Sequence, residues 1–195
     1  AATDFTIRFN PSARGAFVGT LTIRDQNGTL LWENSLSGTG VSPEMQVTLV
    51  NGGATVNDDS AINFTPNNST IWAADGGQGT DPPIDILISS IGDGDLNWEA
   101  AIEGTHAADY SLASNLVGSN LSGTISGQPT PGQPVVLTIT FAPRDLSPNA
   151  NPQSREARLT ITSNDQTVSG AAAAAGGGVT STYEINLQGQ AVAPP

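Results

Sequence analysis

The sequence predicts an all-β protein, an antiparallel β-sandwich preceded by part of a second one. Apolar residues fall on every second position in many short segments, as in Leu137, Ile139 and Phe141, which is typical of a strand that buries one face. Turn-forming residues, including 22 Gly and 13 Pro, separate these segments. One series of three segments also occurs twice, which indicates an internal repeat.

Each copy of the repeat has two alternating strands followed by a strand that ends in Leu-x-Gly. The first copy is residues 5–11, 19–23 and 36–38, and the second is residues 136–143, 157–161 and 187–189. The leading strand ends at a proline in both copies, because proline has no N–H for the sheet ladder. If the copies are equivalent in structure, Phe5, Ile7 and Phe9 take the places of Leu137, Ile139 and Phe141. Phe5 and Phe9 should then be shielded from solvent.

Three strands are too few for a sandwich, which needs about seven. We therefore predict that residues 1–41 are the last three strands of an incomplete unit and that residues 42–192 form a complete sandwich. Its other strands are predicted at residues 45–49, 61–64, 84–89, 96–102 and 121–125. About eight strands with short turns fit an immunoglobulin-like sandwich. Residues 111–134 and 165–182 are predicted as long loops rich in small residues.

Composition excludes several classes of protein. All six basic residues are Arg and the formal net charge is -12, so the chain would repel a phosphate backbone and nucleic acid is not expected as a partner. The chain has no Cys, which removes disulfides, thiolate metal sites and Cys nucleophiles. No apolar run is long enough to span a bilayer.

Several short motifs follow one another in a distinctive order. They are PEMQV at 43–47, IGDGDL at 91–96, GTHAADY at 104–110, PGQ at 131–133, FAP at 141–143, LTITSND at 159–165 and LQG at 187–189. This order resembles the bacterial choice-of-anchor D repeats and the related Hydin-type (ASH) immunoglobulin-like domains, over nearly all of residues 42–192. The resemblance implies an immunoglobulin-like fold, a role in surface or secreted proteins or in scaffolds, and no catalytic residues.

The residues themselves also favour a protein that is not an enzyme. The single His, His106, lies in a turn, where a solvent-facing role is favoured over a general base. No Gly-x-Ser-x-Gly nucleophile elbow occurs.

Asp93, Asp95 and Asn97 have the alternating oxygen spacing of a Ca²⁺ loop. The rest of the twelve-residue register is missing, so a plain turn is favoured, no cofactor is predicted, and Ca²⁺ remains the alternative. Trp32 and Trp98 follow the apolar parity of their strands and are predicted to lie in the core. Trp72 is the candidate for exposure.

We expect a structural or interaction module of an extracellular surface protein or filament that assembles through strand edges and loops. Phe5, Ile7, Phe9, Ala173 and Gly177 are the candidate interaction residues. The expected partners are other copies, arranged head to tail, or neighbouring repeats of a longer chain. The alternatives are a carbohydrate-binding or spacer module of a secreted enzyme and a cytoskeletal scaffold repeat. The acidic charge argues against the last, because microtubules are acidic too.

Overall fold

The computed structural model describes residues 4–9, 15–64, 71–72, 82–128, 130–143, 153–165, 172–173 and 179–192. The chain divides into two units, termed here the hairpin unit (Ala1–Ser42) and the sandwich unit (Pro43–Pro195).

The hairpin unit is built on two antiparallel strands, β1 (Gly15–Arg24) and β2 (Leu30–Gly40). Their turn is fixed by Asp25, whose carboxylate Oδ1 accepts the backbone N–H groups of Asn27 and Thr29, each at 2.8 Å. Gly28 has a φ of 83°, a backbone conformation that favours glycine. Asn-Gly is therefore a turn signal here for a physical reason.

The sandwich unit consists of two facing sheets. Its strands are β3 (Met45–Leu49), β4 (Ser60–Asn63), β5 (Ile71–Trp72), β6 (Ile84–Ser90), β7 (Leu96–Glu103), β8 (Tyr110–Ser114), β9 (Ser122–Ile125), β10 (Val135–Phe141), β11 (Gln153–Ser163), β12 (Ala172–Ala173) and β13 (Val179–Val192). One sheet has the order β3-β6-β10-β8, and the other has the order β12-β13-β11-β7-β9, with β4 and β5 parallel to β13. The predicted all-β immunoglobulin-like sandwich is confirmed.

The core of the sandwich unit lies between the inner faces of these sheets. Fully buried aliphatic side chains alternate along the strands, and they include Ile86, Ile88, Leu137, Ile139, Leu159, Ile161, Ile185 and Leu187. Their spacing of two residues is the one read from the sequence. Burying each such side chain stabilises the fold by about 1.5–3 kcal/mol.

The two segments predicted as loops contain strands. Residues 111–134 include most of β8, a 3₁₀ turn at Val117–Ser119, and β9, the strand predicted at residues 121–125. Strand β8 was missed because its sequence, YSLAS, has only two large apolar residues, Tyr110 and Leu112, which are too few to show a period of two; it forms because β10 pairs with it along its length. In the second segment, β12 pairs with the beginning of β13, and most of the intervening residues lie outside the described part of the chain.

Two predictions for the hairpin unit are wrong. Residues 4–9 form no strand, and Phe5 and Phe9 are 60% and 51% exposed instead of shielded. Trp32, predicted in the core, is exposed as well. Strand β10, the counterpart of residues 4–9, is held by pairing with β6 and β8, and among the described residues no strand pairs with residues 4–9. Trp32 is exposed because its face of the hairpin sheet has no second sheet packed on it.

The hairpin nevertheless has the same strand register as β11 and β13. Leu21 pairs with Asn34 in the hairpin, and Leu159 pairs with Ile185 in the sandwich unit. Counted from these pairs, the Leu-x-Gly segments of the two copies also coincide. The hairpin therefore corresponds strand for strand to β11 and β13 up to the irregularity at Ile23/Arg24.

The packing of one aromatic ring on one glycine is also shared. A Cβ atom added to Gly38 would lie 2.7 Å from Cζ of Phe9, and one added to Gly189 would overlap the ring of Phe141. Both glycines thus admit a ring flat against the backbone. Phe9 and Phe141 hold equivalent positions in the leading segments of the two copies, so this ring contact is shared although residues 4–9 form no strand.

Candidate interaction surface

The hairpin unit presents an apolar face, termed here the open face. Side-chain alternation places Phe17, Leu21 and Ile23 of β1 on the same side of the sheet as Trp32 and Leu36 of β2, with Ile23 directly opposite Trp32 and Leu36 diagonal to Phe17 and Leu21. None of these five side chains is fully buried.

Residues 7–9 lie against this face and form a groove with it. Phe9 meets Phe17 edge to face, with ring centroids 6.1 Å apart. The groove has a volume of about 340 Å³, and its lining includes Ile7, Phe9, Phe17, Leu36 and Gly38. Its walls are mainly apolar, so it suits an apolar side chain.

The corresponding positions in the sandwich unit are buried. Trp32 is 44% exposed, whereas Tyr183, at the same register position, is 8% exposed. Phe9 is half exposed, whereas Phe141 is fully buried beneath Tyr110 and Phe64, with ring centroids at 4.8 Å and 6.0 Å. At these positions the open face has the side chains of a sandwich interior without the cover, although Asn34 takes the place of the fully buried Ile185.

Both edges of the hairpin sheet also lack the neighbours that their counterparts have. In the sandwich unit, β11 pairs with β7 on one side and β13 pairs with β4 on the other. Among the described residues, β1 and β2 pair only with each other. Their outer edges therefore present backbone N–H and C=O groups that can accept another strand.

Charge separates the two units. In residues 1–42 three basic residues balance three acidic ones, and they are Arg8, Arg14, Arg24, Asp4, Asp25 and Glu33. The whole formal net charge of -12 therefore falls on residues 43–195. The open face belongs to the part of the chain that carries no net charge, where like-charge repulsion opposes association least.

The structure places the described candidate interaction residues in different parts of the chain's fold. Phe5, Ile7 and Phe9 belong to the exposed segment beside the open face. Ala173 pairs with Val179 through the backbone of β12 and β13. Gly177 lies outside the described residues, as does the side chain of Trp72.

The candidate Ca²⁺ residues take part in structural hydrogen bonds. Asp95 Oδ1 accepts the backbone N–H of Gly127 at 3.2 Å, and Asn97 Oδ1 accepts the hydroxyl of Thr124 at 2.7 Å. These bonds attach the turn and β7 to β9 and the segment after it. Within the described residues, no group of three or more His, Asp or Glu side chains is arranged to hold a metal ion.

His106 and its neighbours form a corner beside β11, in which Asp109 and Tyr110 are buried and His106 is partly exposed. His106 Nδ1 accepts the backbone N–H of Glu156 at 3.1 Å. Asp109 forms an ion pair with Arg155 at 3.3 Å, and both side chains are largely buried. Tyr110 donates its hydroxyl to the Arg155 carbonyl at 2.6 Å. Burial, with Asp109 nearby, raises the pKa of Tyr110, so the corner holds a neutral phenol.

Tyr183 makes the free energy of unfolding of the sandwich unit fall at alkaline pH. Its hydroxyl donates to the Val56 carbonyl, and burial, with Asp58 nearby, raises its pKa from 10.0 to about 12. The unfolded chain ionises first, so stability is complete below about pH 10 and falls as the pH rises to about 12. We expect Tyr183→Phe to reduce this fall in urea titrations across that range. If the free energy of unfolding falls as steeply with pH in Tyr183→Phe as in the wild-type chain, this prediction is wrong.

Comparison with known proteins adds little to this description. No known protein family and no curated protein matches the chain. Among solved structures it is similar to an ASH/PapD-like domain of human CEP192 (PapD-like domain 7), with 12% sequence identity, 79% of this chain and 89% of that chain covered, and a TM-score of 0.44. Among the described residues, no helix is long and apolar enough to cross a membrane. The fold and its surface define a β-sandwich protein with an additional, uncovered hairpin unit.

Proposed function

We propose that this protein is a structural and interaction module of an extracellular surface protein or filament. It assembles through the open face and the edges of β1 and β2 with neighbouring units, which are other copies in head-to-tail order or repeats of a longer chain. The observation that carries this proposal is the exposure of Phe9, Ile23 and Trp32 at positions whose counterparts are buried. Folded proteins rarely leave such a face in water unless it is an interaction site.

Strand addition is the mechanism that the hairpin favours. A partner strand at either edge would satisfy backbone groups, and its side chains would cover the open face. A contact between different surfaces of successive units is not self-closing, so it propagates into an extended assembly. The extracellular setting is proposed from the resemblance to surface and secreted repeats.

We also propose that the module is not catalytic and needs no cofactor. The polar side chains that the sequence singled out have structural hydrogen bonds: His106 to β11, Asp95 to Gly127 and Asn97 to Thr124. Carbohydrate binding is the competing proposal, because Phe9, Phe17 and Trp32 are exposed aromatic residues. The apolar neighbours of these rings favour a protein partner.

The test compares the full chain with residues 43–195, a unit with its own core. We expect the full chain to assemble as its concentration rises, seen by sedimentation and electron microscopy, and the truncated chain to stay monomeric. Trp32→Ser should weaken assembly, whereas Thr22→Ala, on the opposite face of β1 and outside the groove, should not.

Equal assembly of residues 43–195 would contradict the role of the hairpin unit. A full chain that stays monomeric would contradict self-association. Binding to an insoluble polysaccharide that is lost in Trp32→Ser would instead favour the carbohydrate-binding function.

A further inference from the structure

We propose that the open face is the binding site for one kind of partner. The partner is a polypeptide segment that forms the same strands as residues 43–132 of this chain and carries the same core side chains, except for an apolar residue at the position equivalent to Asp109. The inference rests on the proposed function and specifies the neighbouring unit. It follows from four comparisons between the hairpin unit and the sandwich unit.

The first comparison concerns the sheet edges. In the sandwich unit, β7 runs antiparallel to β11 with Ile102 opposite Leu159, and β4 runs parallel to β13 with Ile62 opposite Leu187. Leu21 of β1 holds the position of Leu159, and Leu36 of β2 holds the position of Leu187, so the same pairings can form at the outer edges of β1 and β2. The partner therefore supplies an antiparallel strand to β1 and a parallel strand to β2.

The second comparison concerns the ring on the glycine. Phe141 lies on Gly189 and is covered by Tyr110 and Phe64, which both belong to residues 43–132. Phe9 lies on Gly38 in the same way but is half exposed. The partner should therefore bring two aromatic side chains to Phe9, where ring contacts contribute beyond the buried area.

The third comparison concerns charge. Arg155 pairs with Gly189 in the sandwich register, and Phe17 pairs with Gly38 in the hairpin register. Arg155 balances the buried carboxylate of Asp109, whereas Phe17 offers no charge, and Arg8, which also lines the groove, belongs to residues 4–9 and not to β1. A partner with Asp at that position would bury a carboxylate without a guanidinium on β1 equivalent to that of Arg155, which is costly. This is why the partner must be apolar there.

The fourth comparison concerns the source of the strands. In a folded copy of this chain, the required strands already cover that copy's own β11 and β13, and Phe64 and Leu96 are fully buried. A folded copy can add an edge strand to β1 or β2, as in the proposed assembly, but it therefore cannot supply the strands that close the hairpin unit. The geometry thus points to a neighbouring repeat that lacks its own last three segments, the complement of the hairpin unit.

The experiment supplies that complement in the same chain. Since Phe9 corresponds to Phe141, Ala1 corresponds to Gln133. A second copy of residues 43–132, carrying Asp109→Leu, can therefore be fused directly before Ala1. We expect amide hydrogen exchange of β1 and β2 to slow by about 100-fold or more as the hairpin joins a closed unit.

Two matched fusions test the details. Keeping Asp109 in the added segment should remove most of the protection, and so should Phe64→Ala in that segment. If the fused segment misfolds, the separate segment with Asp109→Leu is titrated into the full chain, with amide shifts expected along Leu30–Gly40.

Hydrogen exchange in β1 and β2 that is unchanged in the fusion, together with no amide shifts in the titration, would overturn the inference. If the full chain still assembles while these experiments fail, the proposed function stands and only the identity of the partner is wrong. If the full chain also fails to assemble, both the proposed function and the identity of the partner are wrong.

Discussion

Replacing Phe141 with Ala is expected to lower the free energy of unfolding of the sandwich unit by about 3–5 kcal/mol. The ring is fully buried and contacts the rings of Tyr110 and Phe64. It also lies against Gly189, whose missing side chain leaves the space for it. Truncation removes buried apolar surface and leaves a cavity that the two rigid sheets cannot close. Urea denaturation followed by tyrosine and tryptophan fluorescence measures the change.

Phe9→Ala is the matched control for this prediction. Phe9 occupies the equivalent position on Gly38 but is half exposed. The substitution should leave the unfolding of the sandwich unit unchanged within about 0.5 kcal/mol, the usual range for surface sites. If both variants destabilise the chain equally, the difference in burial between the two copies is not the determining factor.

Asp109→Ala is the second substitution with a large expected effect, again about 3–5 kcal/mol. The ion pair between Asp109 and Arg155 is largely buried, and the second terminal nitrogen of Arg155 donates to Gln153 at 3.0 Å. Removing the carboxylate leaves a guanidinium with too little compensation in a poorly solvated place. Chemical denaturation at neutral pH measures the loss.

A double substitution separates the ion pair from simple packing. Asp109→Leu combined with Arg155→Met replaces both charges with apolar groups, and we expect it to recover most of the stability that Asp109→Ala loses. A double variant as unstable as the sum of its single variants would show that the two residues act independently. The charge argument for the partner of the open face would then weaken as well.

Much of the fold could be predicted from local patterns. Strand β3 begins and ends where it was predicted, and β6 and β7 differ from the prediction by one residue at one end. The alternation also identified the buried side, as with Ile86 and Ile88 of β6. Strand β8 was missed because two alternating apolar residues, Tyr110 and Leu112, are too short a series to establish a period of two.

The candidate surface was located only in part. Phe9 was singled out by its place in the repeat, whereas Trp32 was assigned to the core because its parity matched the apolar side. Parity is a correct guide to the face: Trp32 shares the register position of Tyr183. It contains no information on whether a second sheet lies over that face. The ion pair between Asp109 and Arg155 could not be predicted from local patterns either, because the two residues lie 46 positions apart in the sequence.

The sequence by itself determined which residues share a face and which strands are copies of one another. These properties follow from a side-chain period of two and from repeated order, both of which are local. Only the tertiary structure decided that one copy is closed and the other open. Burial depends on strands distant along the chain: the alternating pattern of β11 and β13 is a core because the sheet β3-β6-β10-β8 faces it, and the same pattern in β1 and β2 is an exposed surface.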